Sequence, residues 1–386
     1  MKGMNWEPAP STYKSLPAPG EFGDTDFGND DFVALWDVDA NGIGRRDLQT
    51  IKDLGCNTIK TYNWSVPAPN GYWGRDHKKF LAKVKALGLC VIVPISAFFT
   101  GTAYNNRTDG KNAGSTPPDA ALPDFIEQIV AEIYSGGDPA PAVLWAIGNE
   151  FDNNNLGAYG YCEAQDIAAI AAYIVAAEKK LNIDPARALA FTSPLTTALR
   201  PVNRSIPVDG RYDKVMAGYA IQALIDAFEK AVGKQATSER FIAAVNSYQT
   251  GAQLTDYYDL FATTFPNLKF FYGELGRDAQ QSTATQAQTI HNQFSITMEE
   301  AKPASHFYGS CLFEFSDELW KAPPGHSEAM FGIYTFAPGQ KPKTSQQTGH
   351  APMWNAAYPV DALEARPAAA YLKAALSGQP PPTGVA

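Results

Sequence analysis

The chain is short of the residues that build metal sites and covalent cross-links. It has four cysteines and five histidines among 386 residues. Cys56, Cys90, Cys162 and Cys311 show no C-x-x-C spacing, and three of them fall on predicted strands, where a thiol behaves as a small buried hydrophobe. Free, buried thiols are expected. His77, His291, His306, His326 and His350 are scattered, with no H-E-x-x-H or comparable ligand pair. The pattern argues against a catalytic zinc site, and neither metal nor cofactor is expected. No apolar run approaches the roughly 18 residues that mark a membrane-spanning helix, and the segment from Met1 has no apolar signal core. An extracellular or periplasmic origin stays open. Positive charge is in deficit too: 31 Lys and Arg against 40 Asp and Glu leave a formal charge of -9. Nucleic acid and anionic membrane surfaces repel such a protein, so a neutral ligand is the expected partner.

What the chain does have is a composition that can bury a large core, 45% hydrophobic and 18% charged. Short β-rich runs recur, each followed by a helical pattern, which predicts repeated βα units and a parallel sheet. Eight such runs are legible: GMNW (3 to 6), CNTIKTYNW (56 to 64), LCVIVPISA (89 to 97), AVLWAIGNE (142 to 150), ALAFTSP (188 to 194), AAVNSYQT (243 to 250), KFFYGELG (269 to 276) and GSCLFEFS (309 to 316). Eight βα units close a barrel, so the predicted fold is an α/β (β/α)₈ TIM barrel over residues 1 to 376. Leu48, Ile51 and Leu54 stop at Gly55, and Phe80, Leu81, Val84 and Leu87 stop at Gly88, each Gly leading into the next strand. Phe125 to Ile133, with a stop at Gly136-Gly137, and the Ala-rich stretch 163 to 181 predict two further helices. Long polar or irregular loops are expected at 98 to 118 and at 317 to 360, after strands three and eight, and residues 377 to 386 read as a flexible tail.

Active sites of such barrels sit at the C-terminal ends of the strands. Glu150 ends the fourth run and Glu274 the seventh, so both are expected at the barrel mouth. Two carboxyl groups on facing strands are what glycosidic cleavage needs: one protonates the leaving oxygen while the other attacks the anomeric carbon. Tyr62, Trp64, Tyr72, Trp73, Trp145, Tyr272 and Trp320 lie in or just after the strands, where an aromatic face serves either core packing or a sugar ring. Trp64 and Trp320 are the expected sugar platforms.

These motifs resemble glycoside hydrolase clan A, the retaining barrel enzymes with an Asn-Glu acid/base on strand four and a Glu nucleophile on strand seven. Asn149-Glu150 matches the pair, and Glu274 in GELG matches the nucleophile. Tyr248 in VNSYQ stands where clan members keep a tyrosine bonded to the nucleophile, and Lys60 and Tyr62 in TIKTYNW occupy an Arg-x-Tyr position on strand two. FEFSDELWK (313 to 321) looks like the strand-eight end of β-1,3-glucanosyltransferases and related β-glucan enzymes. The resemblance implies a β-glycosidase or transglycosidase acting on oligo- or polysaccharide, with Asn149 at the hydroxyl beside the reacting carbon. It departs from the clan at Lys60, which keeps the charge of an arginine but loses its planar fork. Glu314 and Asp317 are candidate substrate-binding or supporting groups, with salt bridging to Lys321 or Arg277 as the alternative. A metal-dependent barrel would need clustered His and Asp ligands, and a phosphate-sugar enzyme a Gly-rich loop near strands seven and eight; neither pattern is present. A β-mannan or β-galactoside enzyme, and a carbohydrate-binding barrel without catalysis, are the other readings.

Overall fold

A computed structural model describes residues 1–12, 26–66, 75–96, 99, 121–135, 141–152, 164–196, 220–302, 305–322, 325–346 and 357–383. The loop expected at 98 to 118, apart from Phe99, lies outside these residues, as do Tyr72, Trp73, Gly136, Gly137, Cys162 and Trp354.

The apolar runs form parallel strands β1 (Lys2–Asn5), β2 (Thr58–Lys60), β3 (Cys90–Ile95), β4 (Ala142–Ile147), β5 (Ala190–Thr192), β6 (Pro194–Leu195), β7 (Ala243–Asn246), β8 (Phe270–Leu275) and β9 (Phe307–Leu312). Their order is β5-β4-β3-β2-β1-β9-β8-β7-β6. β5 and β6 are the predicted fifth strand broken at Ser193. The first half pairs with β4 and the second with β7, so the chain itself joins the two ends of the sheet and makes a nearly closed barrel. Pro194 accounts for the break, because it has no N–H to give to a ladder.

Alternation along each strand sorts its side chains between two apolar layers. Ile92, Leu144, Ala146, Ala244, Phe271 and Cys311 form a core of their own, which the alternation assigns to the barrel interior. Their neighbours Val91, Val93, Trp145, Ile147, Val245, Phe270, Tyr272 and Leu312 belong to the larger outer core shared with the helices. The interior is tight at β1, where a Cβ on Gly3 would fall 2.2 Å from Cys311 Sγ. The outer helices include the four expected from periodicity, Asp47–Asp53, Lys78–Ala86, Leu122–Ile133 and Ala164–Lys180. Gly55 and Gly88 end the first two in left-handed conformations, at φ 95° and 63°. Helices Ala220–Val232, Ala252–Thr264, Thr283–Glu300 and Pro367–Leu376 continue the ring. Cys56, Cys90 and Cys311 are free thiols.

Two expectations about the C-terminal third need correction. The region 317 to 360 is not wholly irregular: Tyr334–Phe336 pairs with Leu363–Ala365, and Lys343–Gln346 with Ala357–Val360, both antiparallel. These strands span one or two alternations, as in Lys343–Gln346 where Ser345 alone is buried, which is too short a period to stand out from the flanking Gly and Pro residues. The expected tail also begins tied down, with Gln379 N donating to Ala374 O at 2.9 Å and Gln379 O within 3.0 Å of His291 Nε2.

Candidate active site

Asn5 and Lys60 are register partners on β1 and β2, and Asn246 and Glu274 on β7 and β8. A bulge makes the second pairing. Val245 stands opposite Tyr272 but Asn246 opposite Glu274, so Gly273 is an extra residue that turns Glu274 toward the same rim as Asn246. The fit is close there, since a Cβ would lie 2.8 Å from Asn246 Oδ1 and would oblige that side chain to shift.

Three donors converge on Glu274, which is 4% exposed. Lys60 Nζ stands 3.3 Å and Tyr62 Oη 2.7 Å from Oε1, and Tyr248 Oη is 2.7 Å from Oε2. Burial first, and then the negative charge of Glu274, push both phenols well above the ordinary tyrosine range, so each keeps its proton and donates it. Tyr248 exposes 42% of its surface at the mouth while its hydroxyl is turned inward to the carboxylate. Lys60 also lies 4.0 Å from the Tyr62 ring centroid, and the Phe313 ring meets Tyr62 and Tyr248 edge-on at 6.4 and 6.1 Å. Asn5 Nδ2 bonds the carbonyls of Gly273 and Leu312 at 3.0 and 3.1 Å, tying the bulge to β1. Lys60 therefore reaches the carboxylate through a single contact, and the two phenols supply the remaining donors.

Glu150 has different surroundings. β4 ends at Ile147, and the chain then turns through Gly148 at φ 62° and Glu150 at φ 50°, a left-handed conformation that a non-glycine residue adopts only where its surroundings hold it. Its N–H is held by Pro194 O at 2.8 Å. Asn246 Nδ2 lies 2.8 Å from Glu150 Oε1 and 3.1 Å from Asn149 Oδ1. Glu150 is half-buried. Asn5 and Asn246 were not among the residues expected at the site. Asn246 carried a usable signal, because it lies two residues before Tyr248 and so on the same strand face.

The contacts of Trp64 and Asp317 differ from expectation, whereas Glu314 has the Lys321 partner that was one of its two readings. Trp64 is not available as a sugar platform: it is 2% exposed, stacks on His77 at 3.7 Å between ring centroids and donates from Nε1 to Glu132 at 2.9 Å. His77 lies between two carboxylates, Nδ1 3.0 Å from Glu132 and Nε2 2.9 Å from Asp26, and although burial opposes its charge, they raise its pKa to about 10. This is a buried ionic anchor beneath the loop after β2. Asp317 pairs with neither Lys321 nor Arg277 but with Arg366, through two bonds of 2.7 Å. Glu314 is 1% exposed beside Glu318, with Lys321 Nζ 3.9 Å from its Oε2 and also in contact with Glu318. Burial and the charge of Glu318 hold the Glu314 carboxyl well above the usual carboxylate range. Trp320 is half-buried against the core, with Lys321 Nζ 5.7 Å from its ring centroid. Among the described residues no cluster of His, Cys, Asp and Glu has the form of a metal site, and no helix is long and apolar enough to cross a membrane.

No protein-family model matches this sequence, and no similar curated protein is found. Solved structures give remote likenesses. An endo-laminarinase from Formosa Hel1_33_131 aligns at 16% identity over 75% of this chain and 77% of its own, with a TM-score of 0.48. A structure of plant β-glucan endohydrolases aligns at 13% identity over 75% of this chain and 92% of its own, with a TM-score of 0.47. A β-galactosidase from Bacteroides fragilis, described as putative, aligns at 15% identity and a TM-score of 0.43, and there this chain spans only 36% of that protein's length.

Proposed function

We propose that this protein is a retaining β-glycosidase or transglycosidase that acts on a β-glucan, with Glu150 as general acid/base and Glu274 as nucleophile. The observation that carries the reading is the convergence of three donors on Glu274, one of two carboxyls placed at strand ends. Lys60, Tyr62 and Tyr248 surround Glu274 with one cation and two hydroxyl donors, an environment suited to an anion that must attack. Glu150 ends another strand run, is half-buried and accepts from the Asn246 side-chain amide, a place suited to a group that gives up and takes back a proton. The likeness of FEFSDELWK to the strand-eight end of β-glucan enzymes supports the substrate class.

In the first step Glu150 gives its proton to the glycosidic oxygen, which leaves with the electron pair of its bond to the anomeric carbon. Glu274 forms a bond to that carbon from the opposite face. In the second step Glu150, now a carboxylate, takes a proton from water or a sugar hydroxyl, whose oxygen displaces Glu274. Asn149 Oδ1 is engaged by Asn246, so Asn149 has its Nδ2 left to donate to the sugar hydroxyl beside the reacting carbon. Water and sugar acceptors share the glycosyl-enzyme, so product analysis on a panel of β-glucans separates hydrolysis from transfer.

The test is to trap that intermediate. Incubation with an activated 2-deoxy-2-fluoro β-glucoside, followed by peptide mass mapping, should place one fluoroglycosyl adduct on Glu274. An adduct on any other residue, or undiminished turnover of oligosaccharide by Glu274→Ala, would overturn the assignment.

A further inference from the structure

Asn5 ends β1 and is fully buried, and its amide fits in one orientation only. Nδ2 stands 3.0 Å from Gly273 O and 3.1 Å from Leu312 O. Carbonyls only accept, so the nitrogen must face these two and Oδ1 must be turned away from them. There it meets Tyr62, whose Oη lies 3.1 Å from Asn5 Oδ1 and 2.7 Å from Glu274 Oε1. A phenol has a single proton to give, so the Tyr62 hydroxyl has two acceptors and serves one fully at a time. In the free enzyme the carboxylate takes it. Glu274 is the nearer acceptor, and a hydrogen bond to an ionised group is roughly twice as strong as one to a neutral amide.

We propose that Asn5 is a positioning residue that takes over the Tyr62 hydrogen bond each time Glu274 gives up its charge to the sugar. In the glycosylation step a Glu274 oxygen bonds to the anomeric carbon, while the glycosidic oxygen leaves with the electron pair of its former bond and receives the Glu150 proton. The carboxylate becomes a neutral ester. Whichever of its oxygens attacks, Oε1 is then an ester oxygen and a weaker acceptor than before. The Tyr62 O–H bond stays intact and rotates toward Asn5 Oδ1. When water or a sugar hydroxyl displaces Glu274, the carboxylate returns and the hydroxyl turns back. Asn5 thus lowers the energy of the glycosyl-enzyme and acts on it only through Tyr62, while its Nδ2 ties to Gly273 and Leu312 serve every state alike. This inference rests on the reading of Glu274 as nucleophile.

The experiment uses the activated 2-deoxy-2-fluoro β-glucoside and measures how fast the fluoroglycosyl-enzyme forms and how fast a sugar acceptor releases it. The proteins compared are the parent, Asn5→Ala, Asn5→Ser, Tyr62→Phe and Tyr62→Phe/Asn5→Ala. Without the second acceptor the intermediate loses one neutral hydrogen bond, so the Asn5 variants should form it more slowly and release it faster, the two changes together amounting to roughly 3- to 10-fold. A residue that only tied Gly273 and Leu312 in place would slow both steps. In the Tyr62→Phe background the Asn5 change should no longer speed release, although any slowing from the lost ties persists. A second measurement needs no Asn5 variant. With isotope-labelled asparagine side-chain carbonyls, the infrared difference between trapped and free parent should show one carbonyl moving to lower frequency as it accepts the phenol, a shift missing in Tyr62→Phe. Release that is slowed or unchanged in the Asn5 variants, release quickened equally in the Tyr62→Phe background, or the lack of a Tyr62-dependent carbonyl shift would overturn the inference. Failure of the adduct to form on Glu274 would instead overturn the reading on which it stands.

Discussion

Two carboxyl groups are buried on neighbouring strands at the barrel mouth, Glu274 on β8 at 4% exposure and Glu314 just past β9 at 1%. Their burial is nearly the same and their company is opposite. Glu274 has a lysine and two phenols within 3.3 Å. Glu314 has another carboxyl beside it and a lysine shared between the two, and burial together with the charge of Glu318 holds it well above the usual carboxylate range. Burial alone therefore does not decide what a carboxyl in this barrel does. The groups brought to it also decide, and the donors at Glu274 come from β2 with its end and from the end of β7.

The comparison is broken most sharply by removing each charge in turn. On the proposed mechanism Glu274→Gln should lower kcat/KM by roughly 10³-fold or more, because it would remove the proposed nucleophile. Glu314→Gln, which keeps the shape of a group whose proton affinity is already raised, should lose less than about tenfold. Steady-state kinetics on one oligosaccharide measures both, and equal losses would erase the distinction. A smaller effect is expected from the donors. Tyr62→Phe and Tyr248→Phe each remove one hydrogen bond to a charged group and should cost roughly 10- to 100-fold in kcat/KM with little change in thermal midpoint. A variant with unchanged turnover would show that its phenol only packs.

The smallest effect is on stability. A carboxyl whose folded-state proton affinity is raised contributes stability that is complete below its unfolded pKa and is lost as pH climbs through the folded value. Within that window Glu314 should remove up to about 1.4 kcal/mol per pH unit, a slope that Glu314→Gln abolishes. Denaturant unfolding of both proteins from pH 4 to pH 8 measures it, and parallel curves would mean that Glu314 ionises as easily folded as unfolded.

The barrel and its two strand-end glutamates were legible because each depends on a local pattern repeated along the chain. Parallel strands read as apolar runs, and a residue that ends such a run is carried to the rim wherever the run is placed. The partners were harder to read because they come from far away in sequence. Trp64 has the spacing of a rim aromatic, yet what buries it is a histidine 13 residues on and a glutamate 68 residues on, held together by charge. Asp317 has Lys321 within a helical turn but is taken by Arg366, which follows a strand too short to foresee. The break in the fifth strand was marked by Pro194 in ALAFTSP, and the bulge by Gly273 inside FFYGELG; both are breakers within apolar runs.

That break has a dynamic consequence. The ring is stitched shut by two register pairs between Pro194–Leu195 and β7 and by one isolated bridge from Phe191 to Phe241. The carbonyl that holds the Glu150 backbone belongs to Pro194 itself, whereas the Glu274 carbonyl accepts from Ser247, just past β7. Breathing of the seam is therefore expected to move the backbone of Glu150 more than that of Glu274. Amide exchange should therefore be faster at Glu150 than at Leu275, leaving one side of the reaction centre pliant and the other rigid.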